Sequence, residues 1–145
     1  MFKNIIKRES GFTLLELLIV IVIIGILALL IIPNITSAPK KARDTQRKTD
    51  LRAVQKGLEE YFVSNNNYPA ALSDLTTGNP PIMKAVPVDP KNSGDLVYTY
   101  APTGSPANAY TLKACLENGG DTGQFVTADA SCTTAGKKFE LTNQN

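Results

Sequence analysis

A single carboxylate, Glu16, stands at the head of an unbroken apolar run from Leu17 to Ile32. A helix from Phe12 to Ile32, rising about 1.5 Å per residue, spans roughly the 30 Å hydrocarbon core of a bilayer. The run therefore predicts a membrane-spanning helix, and it puts a charge where charge is expensive. An acidic residue near the middle of such a span costs roughly 2.5–3.5 kcal/mol, and less toward its end. Glu16 calls for a partner. Ahead of it lie the basic residues Lys3, Lys7 and Arg8 and the junction Gly11-Phe12.

The string Gly11-Phe12-Thr13-Leu14-Leu15-Glu16-Leu17, with Gly25 and Pro33 further along, resembles the N-terminus of type IV prepilins and of the related pseudopilins of secretion and competence machines. The resemblance implies that residues 1–11 are a leader cut after Gly11 by a prepilin peptidase. It further implies that Phe12 becomes the new, N-methylated terminus, and that Glu16 pairs with the N-terminal amine of a neighbouring subunit. The physics agrees: an α-amino group with a pKa of about 7.7–8.0 is largely cationic at neutral pH and suits a buried carboxylate. Gly25 and Pro33 are the weak points of the helix, by low propensity and by a missing donor. The resemblance implies that they bend or melt in a packed filament. Pro39 is a second candidate break.

Two plainer readings compete. A secretory signal peptide would use the basic leader, the apolar run and the small residues Thr36-Ser37-Ala38, but the run is longer than a usual signal core and Pro39 follows the cut. A simple membrane anchor explains the length and leaves Glu16 without a role. Orientation by basic flanks is ambiguous, because Lys40, Lys41, Arg43, Arg47, Lys48, Arg52 and Lys56 follow the run. The resemblance implies leader inside and bulk outside: a single-pass cytoplasmic-membrane protein first, then an extracellular or periplasmic filament.

The expected fold class is α+β, pilin-like. A long N-terminal helix, its first half (12–38) in the membrane or filament core, leads into a head of residues 39–145 with a small antiparallel sheet of three or four strands. About a hundred residues suffice for one such domain and not for two. Net charge is +2, falling to zero once residues 1–11 are removed. From Lys40 to Ser64 the pattern is amphipathic, with Leu51, Val54, Leu58 and Tyr61 at helical spacing beside Phe62, and this stripe predicts core. The opposite face, with Arg47, Lys48, Arg52, Lys56, Glu59 and Glu60, predicts a solvated surface or a subunit contact. A phosphate-binding role for basic segment 40–56, as in a DNA-capturing competence pilin, is the weaker alternative, since no aromatic is interleaved.

Asn65-Asn66-Asn67 predicts the end of the helix, 70–75 a helical turn, and the proline-rich stretch 78–90 an extended connection. Strands are expected at 96–101, 109–116 and 138–141, with Thr103-Gly104-Ser105-Pro106 as a turn. Tyr98 and Tyr100 share one strand face, with Tyr110 across the hairpin. Val86-Pro87-Val88-Asp89-Pro90 followed by Tyr98-Thr99-Tyr100 resembles the same passage in major pseudopilins of type II secretion. The chain lacks the Trp-Gly common there and has a cysteine pair they generally lack.

With the head outside the cytoplasm, Cys115 and Cys132 predict a disulfide, worth roughly 3 kcal/mol for a loop of that length. A thiol metal site is poorly supplied, since there is no histidine. Catalysis finds little support, with no histidine, no serine in a nucleophile elbow and no phosphate loop after a strand, so the chain is not expected to be an enzyme. The nearest constellation is Glu117-Asn118-Gly119-Gly120-Asp121-Thr122-Gly123, with Asp129 beyond it. Major pseudopilins bind calcium in a comparable loop, which makes Glu117, Asp121 and Asp129 calcium candidates, though the same residue types also serve as turns. The chain is thus expected to be a structural subunit of a homo-oligomeric filament, with the peptidase-methylase, an inner-membrane assembly platform and minor pilins as partners.

Overall fold

A computed structural model describes residues 11–143, and side chains within 30–36 lie outside those described. Most of the expected leader is therefore outside the described residues, as is the side chain of Pro33. The chain divides into two compact units, Met1–Thr36 and Ser37–Asn145. Helix α1 is assigned over Leu14–Asn65. Pro39, expected as a break, does not end it, because a proline removes one donor while the flanking turns keep theirs. The helix stops where expected: Asn66 takes a left-handed conformation, with φ 55°, and its amide reaches back to the Phe62 carbonyl at 2.8 Å. Asparagine tolerates that geometry better than most residues.

In the first unit the side chains from Phe12 to Leu29 are exposed almost throughout, Leu14 at 81% and Ile24 at 58%. An apolar surface all round a helix is stable only in apolar surroundings. Among the described residues, no helix is long and apolar enough to cross a membrane.

The second unit packs the C-terminal part of α1 against a four-stranded antiparallel sheet. A 3-10 helix at Leu72–Thr76 follows α1, then an irregular connection, then β1 (Tyr98–Gly104), β2 (Ala107–Cys115), β3 (Val126–Ala128) and β4 (Lys137–Thr142). Spatial order is β1-β2-β4-β3. Register sets Tyr100 against Leu112, Leu112 against Leu141, and Val126 against Phe139. The three-residue β3 carries too little alternation to be read from sequence.

Period-two alternation in β2 turns Tyr110, Leu112 and Ala114 inward, and β4 adds Phe139 and Leu141. These meet Leu51, Val54 and Leu58 of α1, with Leu75 and Tyr68 closing the end. Each fully buried leucine contributes about 1.5–3 kcal/mol of transfer free energy. Gly57 allows the connection to come close, since a Cβ there would stand 3.0 Å from the Met83 sulfur. At the β1–β2 turn Gly104 has φ 103°, a conformation that side-chain-bearing residues avoid.

Candidate functional site

The expected processing junction, Gly11-Phe12, lies at the start of α1. Gly11, Phe12 and Thr13 are exposed, Phe12 at 75%, and a Cβ built on Gly11 would meet nothing within 4 Å. Thr13 caps the helix: the Leu17 amide donates to the Thr13 carbonyl at 3.3 Å, and the Glu16 amide donates to Thr13 Oγ1 at 3.2 Å. Glu16 Oε2 accepts in return from the Thr13 amide at 2.9 Å and the Thr13 hydroxyl at 2.7 Å. This reciprocal capping box satisfies two donors that a helix start leaves orphaned. Within one chain, then, Glu16 already has a partner. The signal was in the sequence, Thr-x-x-Glu ahead of an apolar run.

A second constellation sits in the head, and it corrects the reading of the helix's charged face. Arg47, expected in solvent, is fully buried. Its guanidinium forks onto Asp89, Nε to Oδ2 at 2.6 Å and Nη2 to Oδ1 at 2.9 Å. Nη1 donates to Asp44 Oδ1 at 2.8 Å and to Glu117 Oε1 at 2.9 Å. Asp44 in turn accepts from the backbone amides of Glu117 and Asn118, each at 2.9 Å. Arg43 binds Glu117 with two donors, both at 2.7 Å, and Lys91 Nζ lies 3.1 Å from it. One turn of α1, the connection at Asp89 and the segment after β2 are thus joined at a single point.

Electrostatics follow the geometry. The Arg43 hydrogen bonds, opposed by burial and reinforced by Arg47 and Lys91, hold the Glu117 carboxyl well below the usual range. Burial pushes Asp89 up, but Arg47 and the amides of Lys91 and Asn92 outweigh it, and the group stays below its ordinary value. Burial lowers and the three carboxylates raise the Arg47 pKa, which ends higher than usual. The legible signal was position: Asp44, Arg47, Leu51, Val54 and Leu58 follow one another at steps of three and four, so Arg47 lies on the apolar stripe.

The expected solvated face is further reduced. Lys48 pairs with Asp121 at 2.5 Å, while Arg52 stays in solvent with its guanidinium 5.8 Å from the centroid of the Phe139 ring. Glu59 accepts from the hydroxyl of Tyr110 at 3.0 Å and from that of Tyr68 at 3.1 Å. Burial, then Glu59, pushes Tyr68 up to about 12. Lys40, Lys41, Arg52, Lys56 and Glu60 remain exposed, as expected of that face. Segment 40–56 accordingly offers phosphates a smaller positive surface than its composition suggests.

The three calcium candidates are not gathered. Glu117 is covered by Arg43, Arg47 and Lys91, and Asp121 by Lys48. Asp129 faces Lys138 at 3.4 Å and Lys113 at 3.5 Å. Among the described residues, no group of three or more acidic, cysteine or histidine side chains could hold a metal ion. Cys115 and Cys132 do form the expected disulfide, with Cα atoms 5.3 Å apart, and pack with Leu96 in a small buried cluster.

Comparison with known proteins places this geometry. The family profile described as "Prokaryotic N-terminal methylation motif" matches residues 6–32. The type II secretion system core protein G of Pseudomonas aeruginosa is 36% identical over 130 residues, covering 79% of this chain and 89% of that protein. The chain belongs to the type IV prepilin and pseudopilin family. Another pseudopilin relative, the core protein G of Aeromonas hydrophila, is 46% identical over 69 residues, 48% of each chain. On the pilus side of the family, the type IV wide pilus major component PilA4 of Thermus thermophilus is 35% identical over 108 residues, 74% of each chain. No solved structure matched this prepilin-family chain. Its α+β head is the pilin-like arrangement expected from the sequence.

Proposed function

We propose that this chain is the precursor of a structural subunit in a pilus-like filament. In this reading it is cut after Gly11, methylated on Phe12, held in the cytoplasmic membrane by the apolar helix with the head outside, and then drawn into a filament whose centre is built from such helices. The observation that carries the reading is the exposed Gly11-Phe12-Thr13 junction followed by Glu16 and a helix apolar on every side. Likeness to core protein G and to PilA4 supports a filament role of the secretion or pilus kind. Domain boundaries follow: leader 1–11, helix 12–38, head 39–145. The peptidase-methylase, an inner-membrane assembly platform and minor pilins are the partners this role requires. Glu16 takes a neighbour's Phe12 amine in the filament, an exchange that replaces the Thr13 hydroxyl and amide with a charged donor.

Intact mass and N-terminal peptide analysis of the protein from native membranes test processing. A chain beginning at Phe12 with one added methyl group is expected, and a Met1 or Pro39 start would overturn the proposal. Glu16→Ala should leave cleavage intact and sharply reduce the yield of sheared filaments. Normal yield would refute the pairing role.

A further inference from the structure

We infer that the loop between β2 and β4 is closed by the protein's own cations, so that the head folds and holds its stability without a divalent metal ion. The donor set does not fit calcium, which takes six to eight oxygens around one point. Both oxygens of Glu117 already accept hydrogen bonds from guanidinium groups, and its side chain is only 2% exposed. Asp121 Oδ2 is bound by Lys48 and its Oδ1 by the Gly123 amide at 2.9 Å. Asp129 Oδ1 accepts from the Ser131 amide at 2.8 Å and hydroxyl at 2.7 Å, while Oδ2 faces Lys113 and Lys138. An entering ion would have to expel a fixed cation from each carboxylate.

Those cations do the electrostatic work that a bound metal does elsewhere. They arrive from three directions: Arg43, Arg47 and Lys48 from α1, Lys91 from the connection, and Lys113 and Lys138 from neighbouring strands. The Cys115–Cys132 bridge fixes the two ends of the same segment covalently. With ends tied and carboxylates neutralised, no site is left for an ion to gain by closing. This inference is independent of the filament reading, since it concerns the stability of a single chain.

The test is thermal unfolding of the purified full chain in detergent micelles, followed by near-ultraviolet circular dichroism. Midpoints in about 1 mM calcium chloride and in excess chelator should agree within about 1 °C. A genuine site filled at a hundred times its dissociation constant would raise the midpoint by roughly 10 °C or more, and such a rise would overturn the inference. Lys48→Gln should lower the midpoint by a few degrees in both buffers alike. An unchanged midpoint in that variant would also overturn it, because the ammonium would then not be holding Asp121.

Discussion

Replacing Arg47 by methionine is the sharpest test of the head's construction. The side chain is fully buried, and its removal leaves Asp44, Asp89 and Glu117 with less compensation in a site closed to water. Breaking a buried ion pair from one side costs about 3–5 kcal/mol. Some relief remains: Glu117 keeps Arg43 and Lys91, and Asp89 keeps the amides of Lys91 and Asn92. The lower part of that range, about 3 kcal/mol, is therefore expected. For a domain of this size each kcal/mol moves the midpoint by roughly 4 °C, so the loss should be near 12 °C. Urea unfolding of the full chain in micelles, read by near-ultraviolet circular dichroism, measures it directly. Arg47→Lys should fall between, since an ammonium keeps the charge and loses the fork onto Asp89. Lys56→Ala, on the exposed side of the same helix, should stay within about 0.5 kcal/mol. A loss below about 1 kcal/mol for Arg47→Met would refute the claim that this arginine compensates buried carboxylates.

Acid should destabilise the head in a defined window. Glu117 and Asp89 sit below their ordinary values of 4.5 and 3.8, so their contribution is full above about pH 5 and is lost as pH falls further and the unfolded chain takes up protons first. A midpoint unchanged between pH 5 and 3 would contradict this. At the alkaline end burial raises Tyr68 and Tyr100 to about 12, from an ordinary 10, so stability should decline as pH rises from 10 toward 12, which tyrosinate absorbance would follow. Glu59→Leu strips the acceptor from the Tyr68 and Tyr110 hydroxyls and should cost about 1–3 kcal/mol in urea unfolding, against little change for Glu60→Leu. Replacing Cys115 and Cys132 together by serine should cost about 2–5 kcal/mol, measured under the same conditions without reductant.

The N-terminal third shows how far a linear pattern can go. Gly11, Phe12 and Glu16 carry their meaning in spacing alone, because the proposed cleavage and the observed capping both concern neighbouring residues of one helix start. The Leu51, Val54 and Leu58 stripe, the stop at Asn66 and the strands around Tyr100, Leu112 and Leu141 were legible for the same reason: helix and strand periods are local. Even the Thr13–Glu16 box is a local motif, visible in principle.

Arg47 is a different matter. Its place on the apolar stripe hinted at burial, but its partners Asp89 and Glu117 lie 42 and 70 residues away along the chain. No period in the sequence brings them together. The same holds for Lys48 with Asp121, a pair made only when the sheet closes on α1, and for Asp129 between Lys113 and Lys138, brought together only when β2 and β4 pair. Composition suggested a basic helix face and an acidic loop suited to a metal, whereas the tertiary structure sets Arg43, Arg47 and Lys48 of that face against Glu117 and Asp121 of that loop. Desolvation decides this outcome: once packing excludes water, each charge must find its opposite within reach, and only the fold determines which opposites are near.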